Sequence, residues 1–143
     1  MQSIVSQFRA SGSVEITVFS RDAADTLARH KVERAVPVRE LSRDEVLPEI
    51  AALDLLILGG GGILYDEGAA VYLREVALAH EQRVPVLVYA VSAGPLKDAT
   101  ARGLVRDVLG QATAITVRER RARQILEEVG LQDIEVTADP ARR

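Results

Sequence analysis

A chain of 143 residues, 48% hydrophobic and 27% charged with a formal charge of −3, has the length of one domain and enough apolar content for a core. It contains no cysteine, which excludes a disulfide framework, a thiol nucleophile and any zinc site built on thiolates. The mild acidity argues against a nucleic-acid binder, whose domain is normally strongly basic, and the sixteen arginines are scattered along the chain.

No apolar run approaches the ~20 residues of a membrane span, and residues 1–10 (MQSIVSQFRA) lack the basic start and apolar middle of a signal peptide. A cytoplasmic protein is the expectation. Residues 3–11 read as a helix with Ile4, Val5 and Phe8 on one side. Residues 14–19 (VEITVF) read as a strand, and residues 35–38 as a weaker one. Ser42 and Glu45 have the spacing of a capping box, while Pro48 limits that helix or forces it to start again. Residues 54–58 (DLLIL) and 84–90 (VPVLVYA) are nearly continuous apolar runs, as parallel strands covered on both faces require. Residues 114–117 (AITV) and 134–137 (IEVT) are shorter strand candidates.

Amphipathic stripes separate these runs: Ala69, Leu73, Val76, Ala77 and His80; then Ala101, Leu104, Val105 and Val108; then Ala122, Ile125, Leu126 and Val129, closed by Gly130. Strands alternating with helical segments of 10–15 residues build βαβ units, so the fold class is α/β with an open, mostly parallel sheet and helices on both faces. Residues 1–143 form one domain on this reading. Both ends look unfinished: no strand precedes the first helix, and no closing helix follows residues 137–140 (TADP).

Ligands of open α/β sheets bind outside the carboxyl ends of the strands. That edge collects residues 20–22, 59–66, 91–96, 118–119 and 137–140, and it sets Asp54, which begins its strand, at the opposite end. Gly59, Gly60, Gly61 and Gly62 follow a buried strand. They fit either an anion-binding loop of free N–H groups or a tight strand-exit turn. Two phosphate motifs fail here. A P-loop needs Gly-Lys-Ser/Thr where Gly62 is followed by Ile63, and the dinucleotide fingerprint needs glycine at Leu64.

Ser92, with Ala93, Gly94 and Pro95, occupies the place of a hydrolase nucleophile elbow, but Ala90 stands at the elbow's leading glycine and no histidine follows Ser92. Serine hydrolysis is excluded. His80 lies on an inner stripe and is expected to pack or to close a helix end. Arg118 directly follows a strand at the ligand edge, and it either faces a bound anion or pairs with Glu119. Arg120, Arg121 and Arg123 point to scattered azimuths and make no single face. Carboxylates such as Asp66 and Glu67 are isolated, so no metal site is expected.

The ordered set DLLILGGGG (residues 54–62) with Asp66, SAGPL (92–96), ATAITVRE (112–119) and TADP (137–140) resembles the polysaccharide pyruvyl transferase family. The resemblance implies a Rossmann-like domain similar to the N-terminal half of a two-domain enzyme of the GT-B type. It implies transfer of pyruvate from phosphoenolpyruvate to two hydroxyls of a cell-surface sugar, making a ketal, with no cofactor. It would place Gly59, Gly60, Gly61, Gly62, Ser92, Gly94 and Arg118 along the cleft wall as ligand-binding residues, and it leaves the catalytic residues unknown. The chain departs from the family pattern in lacking the Gly-Asn/Gly-Asp loop after a first strand, in having no second domain after Arg143, and in Ala122, where a serine is usual. The expectation is therefore a partial form, inactive alone, whose incomplete sheet edge favours self-association or a homodimer. Two other readings stay open: a non-catalytic α/β module that binds a phosphorylated ligand or a protein partner, and half of a sugar-nucleotide glycosyltransferase.

Overall fold

The computed structural model describes residues 6, 10, 12–20, 22–30 and 32–137. The chain divides into two compact units, Met1–Glu49 and Ile50–Arg143. Among the described residues there are six strands and five α-helices, and every strand pairing is parallel. This is the open α/β arrangement of Rossmann-like type that the alternating pattern predicts. No helix of the described residues is long and apolar enough to cross a membrane.

The first unit is a βαβ element. Strand β1 (Thr17–Ser20) runs parallel to β2 (Arg34–Pro37), with Thr17 opposite Arg34 and Ser20 opposite Pro37. Helix α1 (Ala23–Arg29) makes the crossover. Its N-terminus is closed by Asp22, whose carboxylate accepts from the Asp25 amide at 3.0 Å, satisfying one of the orphan donors of the first turn. The buried Ser20 and Thr26 hydroxyls meet at 2.5 Å and tie the end of β1 to that helix. Of the helix expected over residues 3–11, only Ser6 and Ala10 are described, and both are helical.

Helix α2 (Arg43–Ala51) spans the boundary between the units. It is short and continuous, and Pro48 sits inside it rather than ending it. The capping box at its start is present in full: the Glu45 amide donates to Ser42 Oγ at 3.2 Å and the Ser42 amide to Glu45 Oε1 at 3.0 Å. Hydrogen bonds to the Glu45 carboxyl, from the Ser42 backbone amide first and the Ser42 hydroxyl second, hold it below its ordinary value.

The second unit is a four-stranded sheet in the order β3 (Leu56–Leu64), β4 (Val86–Ala93), β5 (Ala114–Val117), β6 (Ile134–Val136). Helices α3 (Ala69–Glu81), α4 (Ala99–Leu109) and α5 (Arg120–Val129) are the three crossovers. They pack in a row, α3 on α4 and α4 on α5. Register places Leu58, Val88, Ile115 and Ile134 side by side on one face of the sheet. Val88, Ile115 and Ile134 of this row are buried, as are Leu73 and Val76 of α3, Ala101 and Val105 of α4, and Ala122 and Leu126 of α5. These helix positions lie on the predicted stripes, so the 3.6-residue period found the core. His80 Nε2 meets the Val108 carbonyl at 2.8 Å and joins α3 to α4, the packing role expected for it. Gly130 ends α5 in the left-handed region at φ 118°, where a glycine caps without strain.

Candidate ligand edge of the second unit

The carboxyl ends of β3, β4 and β5 converge because all three strands point the same way. Strand β3 does not stop at the apolar run. It continues through the four glycines to Leu64, and Gly59, Gly61 and Gly62 stand in register with Tyr89, Val91 and Ser92 of β4. The sequence reading of residues 59–62 as a loop is corrected here. Glycine is a poor strand former, but a neighbouring parallel strand supplies ladder bonds that do not depend on side chains. The irregularity falls later, between Gly62 and Leu64.

Strand β4 carries its own bulge between Val88 and Val91 on the β5 side. Ala90 lies within it at φ 52°, a left-handed conformation unusual for a residue with a side chain. Its buried amide donates to Thr116 Oγ1 of β5 at 2.8 Å, so a hydroxyl stands in for the lost ladder bond. The strand resumes at Val91, whose carbonyl accepts the Arg118 amide at 3.1 Å. Bulge and ladder together set Ser92 beside Gly62 on one flank and the start of Arg118–Glu119 on the other.

Ser92 Oγ donates to Glu119 Oε1. The second oxygen of the same carboxylate lies 3.5 Å from Arg118 Nε. Of the two expectations for Arg118, pairing with Glu119 is present. Both side chains remain open to solvent, 31% exposed for Arg118 and 42% for Glu119. Thr137 closes the next position, its amide donating to the Val117 carbonyl at 2.7 Å. Residues 138–140, the remainder of that motif, lie outside the described residues.

Asp66 is engaged by the backbone. Its Oδ1 accepts from the Lys97 and Asp98 amides at 2.9 and 3.0 Å, and its own amide donates to the Pro95 carbonyl at 3.3 Å. It clamps the segment after β3 to the segment after β4. Gly94 donates to the Leu64 carbonyl at 2.8 Å, and a Cβ there would stand 3.2 Å from Tyr65 Cβ. A Cβ on Gly68 would lie 2.5 Å from the Tyr65 ring. Tyr65 is thus seated between two glycines, and part of the glycine pattern serves that seat. The bonds from Ser92 to Glu119 and from the Ala90 amide to Thr116, and the seat of Tyr65, were not anticipated from the sequence, because each joins residues more than twenty-five apart or works through a glycine. Elsewhere Glu75 of α3 is a buried carboxylate, paired with Arg74 Nε at 2.6 Å. Among the described residues, no three His, Asp or Glu side chains gather to hold a metal ion.

A family model described as polysaccharide pyruvyl transferase matches residues 1–141. Searches of curated proteins and of solved structures each returned no match.

Proposed function

The chain belongs to the polysaccharide pyruvyl transferase family, and from that premise we propose that its ligand edge binds phosphoenolpyruvate as the donor of a pyruvyl group to a glycan. The family membership supports a transferase acting on polysaccharide. The observation that carries the finer reading is the meeting of Gly62, Ser92 and Arg118 at one strand edge, through the Gly62–Ser92 register and the 3.1 Å bond from the Arg118 amide to Val91.

Phosphoenolpyruvate presents a carboxylate and a phosphate on a three-carbon enol. In ketal formation the methylene carbon takes a proton and becomes a methyl. Positive charge develops at C2, two sugar hydroxyls form C–O bonds there, and the bond to phosphate breaks. One hydroxyl proton balances the proton given to the methyl, and the other leaves with phosphate. Cationic and N–H donors that hold both anionic ends favour this charge redistribution. Arg118 and Ser92 supply such donors for the carboxylate. Gly59, Gly60, Gly61, Gly62 and Gly94 supply close backbone approach for the phosphate end. The general acid is not among them. The second half of a GT-B-like cleft would face this edge and bring the acceptor sugar. Work in the cytoplasm, where phosphoenolpyruvate is available, suits this donor.

Titrating phosphoenolpyruvate into the 15N-labelled chain tests the reading. Shifts are expected at Gly59 to Gly62, Ser92 and Arg118, and Arg118→Ala should weaken binding by about tenfold or more, the loss typical of a charge-assisted bond. A nucleotide sugar that moved these signals in place of phosphoenolpyruvate would favour a glycosyltransferase donor site. Silence of residues 59–62 with both compounds would remove them from the site.

A self-associating form completes the proposal. Strand β3 is nine residues long, carries no charged side chain, and pairs on one flank only among the described residues. Such an edge lacks the usual protection against a further strand.

A further inference from the structure

Glu119 stands at the N-cap of α5, where an acidic side chain ordinarily turns to the free amides of the first helical turn. It makes no capping hydrogen bond there. Its carboxylate is spent instead on Ser92 through one oxygen and on Arg118 through the other, at 3.5 Å. A carboxylate with one oxygen on a hydroxyl and the other beside a guanidinium is held as a bound carboxylic acid would be held. The group it imitates is the one that the edge is read to bind.

We propose that Glu119 is an internal carboxylate that occupies the Ser92–Arg118 pair in the ligand-free protein and yields it to the carboxylate of the incoming substrate. Glu119 is then a positioning residue. It keeps the hydroxyl and the guanidinium at the spacing of two carboxylate oxygens, and it makes the site selective. A ligand that brings a carboxylate replaces both contacts, whereas one that brings only hydroxyls does not restore the charge that Glu119 places beside Arg118. The displaced side chain has a destination close by, since the first-turn amides of α5 have no side-chain cap. Capping those amides recovers part of what the exchange gives up. The exposure of Arg118 and Glu119, 31% and 42%, lets a solute reach them without opening the fold.

The inference rests on the reading of Ser92 and Arg118 as ligand-binding groups, and the experiment separates the two. Pyruvate, phosphoenolpyruvate and inorganic phosphate are titrated into the wild type, Glu119→Gln and Glu119→Ala, with affinity read by NMR or calorimetry. Both variants should bind pyruvate and phosphoenolpyruvate about tenfold more tightly than the wild type, the scale of one charge-assisted bond weakened by solvent, while phosphate gains less. Unchanged or weaker binding of all three in both variants overturns the inference. Gain for pyruvate without preference for phosphoenolpyruvate keeps the inference and sinks the donor assignment. Tight wild-type binding of phosphoenolpyruvate with no gain in either variant keeps the donor and removes the role of Glu119. Should the variants fold poorly, the wild type decides. Saturating pyruvate must shift the Glu119 side-chain carboxyl carbon, and a static signal overturns the displacement.

Discussion

Ala90 holds a left-handed backbone at φ 52° inside β4, a conformation that costs an ordinary residue about 1–2 kcal/mol. The neighbouring strand compensates by satisfying its buried amide with the Thr116 hydroxyl at 2.8 Å. Thr116→Val keeps the shape and removes the acceptor, so the amide is left without its partner. A loss of about 1–3 kcal/mol in urea unfolding is expected. An unchanged midpoint would mean that the amide finds water instead. The same reasoning distinguishes carboxylates that look alike in sequence: Asp66 is occupied by two backbone amides, while Glu119 is shared by a hydroxyl and a guanidinium. The first holds loops together. The second sits on the two groups proposed to receive the carboxylate of a ligand.

At the scale of the element, α2 shows how local chemistry overrides a breaker. Pro48 removes one amide and crowds the carbonyl a turn earlier, yet the helix runs unbroken from Arg43 to Ala51. The reciprocal bonds between Ser42 and Glu45 fix its first turn. Because the Ser42 amide, and after it the Ser42 hydroxyl, favour the ionised Glu45, its folded value lies below its unfolded one. Its contribution to stability is therefore complete above the unfolded glutamate range, about pH 4.3, and is lost as pH falls through the lower folded value. Ser42→Ala should move the Glu45 titration upward when the side-chain carboxyl carbon is followed by NMR. A titration that does not move would show that the Ser42 hydroxyl contributes nothing to the shift. Strand β3 makes the opposite point about propensity. Four glycines would end a strand judged locally, and the ladder with β4 carries it through them.

For the whole molecule, two parallel sheets, one of two strands and one of four, are built from one repeated βαβ logic. Strand β4 has neighbours on both flanks, whereas β3 has its only strand partner, among the described residues, on the β4 side. The other flank of this uncharged strand has the backbone groups that a second copy would extend. Sedimentation over a hundredfold range of concentration should show a rising mass, and Ile57→Lys, which places charge on that strand, should suppress it. A single monomeric species at every concentration would rule out association through this edge.

Much of this protein was legible before any coordinate. Short apolar runs located the strands, the 3.6-residue period located the buried helix positions, the Ser42–Glu45 spacing marked the cap, and Gly130 marked the end of α5. The ordered motifs pointed to the family that the match over residues 1–141 then showed. These features depend on neighbours within a few residues, where side-chain chemistry and backbone geometry are coupled directly. The extension of β3 through Gly62, the left-handed turn at Ala90, and the bond from Ser92 to Glu119 were decided by the tertiary structure alone. Each depends on a partner strand or side chain supplied from elsewhere in the chain, and local propensity carries no record of where the crossovers will set that partner down.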